Sequence, residues 1–224
     1  PNAKINLPTR AVGREASVSG MEIDRSVLLE PDGSLLATMY GQFEGDIRFR
    51  CILIRSLDDG ATWDYVSTIA YDPTIGKEGY GEPVMARVKD GSLLAVMRTG
   101  GFDPIYQTRS LDDGRTWDVP ANLGILSVDP DLCLMSNGVL ACSFGRPTVQ
   151  LMFSLDGSGY EWTAPQTIYS GPRVNGKENS TCYTGLRQIA DGRLLLVYDS
   201  NSPGSPWQAT DNQINAVFIS VDLA

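Results

Sequence analysis

Ser56-Leu57-Asp58-Asp59-Gly60-Ala61-Thr62-Trp63 returns as Ser110-Leu111-Asp112-Asp113-Gly114-Arg115-Thr116-Trp117. A third copy, with one inserted residue, runs Ser154-Leu155-Asp156-Gly157-Ser158-Gly159-Tyr160-Glu161-Trp162. Each follows a strand-like run, such as Cys51 to Ile54 or Gln150 to Phe153. A second repeat is interleaved with the first: Asp32-Gly33-Ser34-Leu35-Leu36, Asp90-Gly91-Ser92-Leu93-Leu94, Asn137-Gly138-Val139-Leu140 and Asp191-Gly192-Arg193-Leu194-Leu195. Asp-Gly or Asn-Gly between apolar runs is a strong hairpin signal. The unit is therefore two hairpins, four strands in roughly 50 residues, the size of a propeller blade. No stretch holds a helical period long enough for a helix. The expectation is an all-β propeller with about four four-stranded blades over residues 20–224, preceded by a connecting strand and loop over 1–19. Polar, Gly- and Pro-rich stretches at Asp72 to Gly81, Ser170 to Ser180 and Ser200 to Asp211 read as inter-strand loops.

The composition bounds the chemistry. The 224 residues carry 18 Lys and Arg, 27 Asp and Glu and no histidine, for a net charge of -9. Such a chain repels a phosphate backbone, so no nucleic acid is expected as partner. Without histidine there is no Ser-His-Asp triad, Cys-His pair or His-ligated zinc. Acid–base work falls to carboxylates, Tyr, Lys or Cys. No apolar run approaches the roughly 20 residues of a membrane helix. The four cysteines, Cys51, Cys133, Cys142 and Cys182, show no CxxC pairing, and no D-x-[DN]-x-[DN]-G run is present, so no metal or cofactor is expected. If Asn137-Gly138 is a two-residue turn, Cys133 and Cys142 oppose each other across it, either bonded or as two buried thiols. Asn179-Ser180-Thr181 fits a glycosylation sequon.

The repeat also says where chemistry can sit. Nine residues before each turn glycine stand Asp24, Glu82, Asp129 and Tyr183. Seven residues after it stand Tyr40, Arg98, Gly145 and Asp199, with Arg146 next to Gly145. Both counts reach the end of the hairpin opposite the turn. In a propeller these positions form rings around one mouth of the central channel. A ring of acids, arginines and tyrosines is either a solvated rim or a ligand site, and convergent charge in a concave mouth is where ligands bind.

The eight-residue turns match the Asp-box, S-x-D-x-G-x-T-W, and so resemble the BNR repeats of sialidase-like propellers. In that family the box is structural: its Asp ties down the turn and its Trp packs between blades. The resemblance extends over roughly Gly20 to Asp222. Gly81-Glu82 through Met97-Arg98 looks like the stretch in which a Glu precedes an active-site Arg. Gly145-Arg146 looks like the segment carrying another arginine of the sialidase triad. Cys182-Tyr183-Thr184 through Val197-Tyr198-Asp199 resembles the segment that begins with the nucleophilic Tyr. The resemblance implies a retaining exo-glycosidase acting on terminal sialic acids, with Tyr183 as nucleophile and Glu82 as its base. Arg98 and Arg146 would bind the substrate carboxylate in forked pairs, and Asp199 stands where the family has a Glu supporting its first arginine. Tyr40, Asp24 and Asp129, from the same rings, are expected as further substrate-contact positions. A neutral Tyr suits a substrate whose carboxylate would repel a carboxylate nucleophile, and sialidases with a Tyr nucleophile depart from the two-carboxylate scheme.

The pattern also departs from the family. Sialidases have six blades, and the first arginine, in an Arg-Ile-Pro context, and the acid/base Asp after it are not here. The chain therefore reads as an N-terminally truncated fragment of a divergent member, with Asp24 or Asp129 as substitutes for the acid. The resemblance alone suggests secretion or periplasmic residence. Two other readings stand beside the sialidase: a glycosidase or polysaccharide lyase of the same fold acting on a uronate-bearing glycan, and a carbohydrate-binding propeller without catalysis.

Overall fold

A computed structural model of the chain describes residues 3–12, 20–25, 27–101, 103–146, 148–170, 173–174, 177–178, 183–200 and 213–222. The sequon and Cys182 lie outside them, as does most of the loop expected at Ser200 to Asp211. No helix occurs among the described residues, so none is long and apolar enough to cross a membrane.

The strands fall into successive sheets. The first holds β1 (Lys4–Asn6), β2 (Ala11–Val12), β3 (Glu22–Ile23), β4 (Leu28–Leu29), β5 (Leu35–Phe43), β6 (Arg50–Ser56) and β7 (Thr62–Ala70). Here β2, β3 and β4 are three short pieces laid along β5, and β1 adds to the far edge in parallel with β7. The second sheet is β8 (Gly81–Arg87), β9 (Leu93–Arg98), β10 (Pro104–Ser110) and β11 (Ala121–Leu126). The third is β12 (Val128–Leu134), β13 (Leu140–Gly145), β14 (Val149–Ser154) and β15 (Gln166–Tyr169). A small pair, β16 (Arg173–Val174) and β17 (Lys177–Glu178), precedes the last sheet. That sheet is β18 (Thr184–Ala190), β19 (Arg193–Ser200) and β20 (Gln213–Ser220). The fold is a sialidase-type β-propeller, with the sheets as blades.

Side-chain alternation splits each middle strand between two seams, because successive residues point to opposite faces. Met85, Leu93, Ala95 and Met97 face the first sheet, where they meet Leu36, Cys51 and Leu53. Val84, Ala86, Leu94 and Val96 face the third, against Leu140, Cys142, Phe144 and Met152. Ala141 and Leu151 turn to the last sheet and meet Leu186, Leu194 and Leu196. This is why the apolar runs are continuous: a strand covered on both faces has no solvent side.

The Asp-boxes lie between the third and fourth strands of their blades. In the second box Asp112 accepts from Thr116 N–H (2.8 Å) and Thr116 Oγ1 (2.7 Å), while Ser110 Oγ accepts from Gly114 N–H (2.8 Å). Trp117 Nε1 donates to Ser67 Oγ of the preceding blade at 3.0 Å, and Trp162 Nε1 donates to Gln107 Oε1 at 2.9 Å in the same way. The boxes therefore fasten turns and seams.

One sequence expectation is corrected. The Asn137-Gly138 turn is not a two-residue turn. Gly138 N–H bonds Met135 O (2.9 Å), Met135 N–H bonds Val139 O (2.8 Å), and Gly138 has a φ of 83°. This is a three-residue loop closed by a left-handed glycine, which shifts the register by one. Cys133 is opposite Ala141 and Leu132 is opposite Cys142. Cys133 and Cys142 consequently face different seams, and both are free thiols.

Candidate active site

The inner strands of the second and third blades are disturbed at the ring position. In β8 the pairing with β9 slips between Gly81 and Val84, and in β12 the pairing with β13 slips between Val128 and Asp131. At these slips Glu82 (φ 44°) and Asp129 (φ 51°) adopt left-handed backbone, as does Arg146 (φ 44°). Non-glycine residues rarely go there, and such strain gathers at functional positions. A bulge re-aims a side chain that a regular strand would point into a seam. Pro83 and Pro130 follow immediately, where the missing N–H costs no ladder bond. The first blade breaks between β3 and β4 at the same place, at Asp24 and Arg25.

The ring residues meet. Tyr183 Oη donates to Glu82 Oε1 at 2.9 Å across 101 residues of chain. Arg98 Nη1 sits 3.2 Å from the same oxygen, and its Nη2 pairs with Glu78 at 3.0 Å. Glu82 Oε2 accepts the Asp129 N–H at 3.0 Å, and Asp129 Oδ2 accepts the Thr184 N–H at 3.0 Å. Thr184 follows Tyr183, so the hydrogen bonds close a circuit from Tyr183 through Glu82 and Asp129 back to its neighbour. Asp199 accepts the Tyr183 N–H at 2.6 Å. The Arg146 guanidinium lies 6.0 Å from the centre of the Tyr183 ring. Tyr40 Oη donates to Glu22 at 2.8 Å.

Arg25 escaped the sequence analysis and is a well-connected cation of the mouth. It donates to Thr184 O (2.7 Å) and Asp129 O (3.0 Å), and it pairs with the Asp129 carboxylate. Its Nε stands 3.9 Å from Asp24. The only sequence signal for it was its place beside a ring position. Glu78 and Glu22, the partners of Arg98 and Tyr40, were also missed, because they sit in a loop and a short strand outside the repeat count.

Burial sets the protonation. Asp129 is pushed up to about 7, first by burial and further by Asp24 and Glu82. Glu82 and Asp24 are raised by burial too, against the pull of Arg98 on Glu82 and of Arg25 on Asp24. Tyr183 is raised by burial and by the Glu82 charge beside it. One oxygen from each of Asp24, Glu82 and Asp129 lies within 4.8 Å of the others. That spacing could chelate a cation, but Arg25 and Arg98 already supply the opposing charge. A cleft of about 440 Å³ is lined by Asp24 and Arg25 of the first blade, Asp131 of the third, and Arg187, Leu195 and Val197 of the last. It reaches the site at Asp24 and Arg25, and neither Tyr183 nor Glu82 lines it.

The profile of the BNR repeat-like domain matches residues 7–143, more than half of the chain. The chain belongs to the BNR repeat-like family. Among solved structures, this BNR chain resembles a Dyadobacter fermentans protein of unknown function at 18% identity and a TM-score of 0.73, over 88% of this chain and 52% of that one. It resembles the NanB sialidase of Streptococcus pneumoniae at 11% identity and 0.62, over 94% and 54%. It resembles an α-L-arabinofuranosidase of Fusarium graminearum at 16% identity and 0.59, over 88% and 61%. The chain thus spans about half the length of these structures, and the likeness shows the fold. No curated protein matches it in sequence.

Proposed function

We propose that this chain carries the reacting groups of a retaining glycoside hydrolase of the sialidase type. The observation that carries the proposal is the 2.9 Å hydrogen bond from Tyr183 Oη to Glu82 Oε1. A phenol at its ordinary value of about 10 is a poor nucleophile without a base. Glu82 is in place to take the proton as Tyr183 Oη bonds to the anomeric carbon. Asp24, held up by burial and placed on the cleft, gives its proton to the departing oxygen as the glycosidic bond breaks. Water then displaces the tyrosine, giving one proton back to Asp24, while Glu82 returns its own to Tyr183. Arg98 and Arg146 stand where the resemblance puts carboxylate-binding groups, so a terminal sialic acid is the first sugar to test.

A second reading is favoured by the acid cluster and by the committed arginines. Retaining glycosidases that use two carboxylates hold them about 5 to 5.5 Å apart. The oxygens of Asp24 and Glu82 fall within that reach, and Arg98 and Arg25 already face carboxylates. Glu82 would then attack a neutral sugar directly, with Tyr183 holding it, as suits a neighbour that is an arabinofuranosidase.

Fluorogenic α-sialosides and α-L-arabinofuranosides, given to the wild type and to Tyr183→Phe and Glu82→Gln, separate the two. Sialoside turnover lost in both variants supports the tyrosine mechanism. Arabinofuranoside turnover that survives Tyr183→Phe and dies in Glu82→Gln supports the carboxylate pair. A folded chain that cleaves neither, and no other glycoside, removes the proposal.

A further inference from the structure

Arg25, Arg98 and Arg187 are each held by a carboxylate. Two cations near Glu78, the partner of Arg98, make no ion pair among the described residues. The loop joining β5 to β6 and the loop joining β7 to β8 enclose a cleft of about 200 Å³, lined by Gln42, Ile47, Arg48, Phe49, Lys77 and Glu78. Glu78 is the residue that pairs with Arg98, so the cleft adjoins the chain of contacts from Arg98 to Glu82 and Tyr183.

The cleft is built on close backbone contact. Phe49 N–H bonds Glu78 O at 2.7 Å, and Tyr80 N–H bonds Phe49 O at 3.1 Å. A Cβ at Gly79 would stand 2.4 Å from Phe49 N, and one at Gly76 would stand 2.3 Å from Thr99 O. The β7–β8 loop is thus pinned to the first and second blades, which fixes its side chains relative to the mouth. Within the cleft, Arg48 Nη1 donates to Ile47 O at 3.2 Å, and Arg48 Nε is buried without a partner. The Nε atoms of Arg25, Arg55 and Arg98 share that condition, and what sets Arg48 apart is that no carboxylate among the described residues pairs with its guanidinium. Lys77 is exposed and makes no ion pair among the described residues. Ile47, 64% exposed, gives an apolar wall for the face of a sugar ring.

We propose that this cleft is an anion subsite beside the reacting pair, taking a carboxylate or a sulfate ester on the sugar next to the one cleaved. The inference rests on the glycosidase reading for what lies next door. A guanidinium fork fits either anion, and Lys77 adds a point charge at the rim.

Calorimetric titration of the whole chain with lactose, sulfated lactose and digalacturonate at low ionic strength tests it. At least one anionic probe should bind roughly tenfold more tightly than lactose, a margin that salt shrinks. The Arg48→Gln, Lys77→Gln double variant should erase that margin, while Tyr183→Phe should keep it. Preference for the sulfate or for the carboxylate identifies the group, and either supports the subsite. Equal binding of neutral and anionic probes overturns it, as does a margin that survives the double variant or disappears in Tyr183→Phe. Anion preference without any glycoside cleavage would leave the subsite standing and remove the reaction. Cleavage without anion preference would do the reverse.

Discussion

Asp129→Asn should change how stability depends on pH. A carboxyl moved from its usual 3.8 to about 7 holds its proton more tightly folded than unfolded, by about 4 kcal/mol at 1.36 kcal/mol per pH unit. The stabilising share of such a group is whole below the unfolded value and is lost as pH climbs through the folded one. The wild type should therefore lose on the order of 4 kcal/mol relative to the Asn variant between about pH 4 and pH 8. Glu82 and Asp24 are shifted the same way, so the wild type's own slope is steeper still, and because the three carboxyls are coupled the comparison reports Asp129 together with its effect on the other two. Asn keeps an acceptor for the Thr184 N–H, and well below pH 7 Asp129 is itself uncharged, so the low-pH difference reports only the exchange of a neutral carboxyl for an amide. Urea unfolding followed by tryptophan fluorescence is the assay, because Trp117 and Trp162 sit at blade seams. A difference between the proteins that stays flat with pH, or a wild type that gains on the variant toward neutrality, would refute burial as the controlling influence on Asp129.

Phe144 is fully buried between the second and third blades, so Phe144→Ala should cost about 3 to 5 kcal/mol in the same urea assay. Ser110→Ala strips the buried Gly114 N–H of its acceptor and should cost about 1 to 3 kcal/mol, without altering turnover. Gly79→Ala should lower the melting temperature sharply, because its Cβ meets the Phe49 backbone at 2.4 Å. Gly33→Ala, with nothing within 4 Å, meets only the backbone strain of a φ of 84° and should melt closer to wild type. Similar melting of the two would deny the close packing of the β7–β8 loop.

The blade pattern was legible because two turns repeat and each has its own chemistry. Asp-Gly and Asn-Gly mark the inner hairpins, and the Asp-box marks the outer turns. Counting from the turn glycines found Asp24, Glu82, Asp129 and Tyr183, since residues equivalent in the repeat stand at equivalent places around the axis. The count could not find Arg25 or Glu78, which reach the mouth from positions the repeat does not share. It also missed the bulges at Glu82 and Asp129, although the prolines that follow both, Pro83 and Pro130, were the readable sign. The register of the third inner hairpin failed for a local reason: Asn-Gly serves two-residue and three-residue loops alike, and only the backbone angle at Gly138 decides.

The left-handed backbone at Glu82 and Asp129 acts as a filter on the amino-acid alphabet. A residue branched at Cβ pays heavily in that region, while Asn, Asp and Gly tolerate it best. Whatever this mouth handles, the vocabulary open to those two addresses is short: acids, amides, a few unbranched side chains, or none. Divergence of specificity should therefore be written mainly in Asp24, Tyr183 and the loops, with Glu82 and Asp129 as its fixed punctuation.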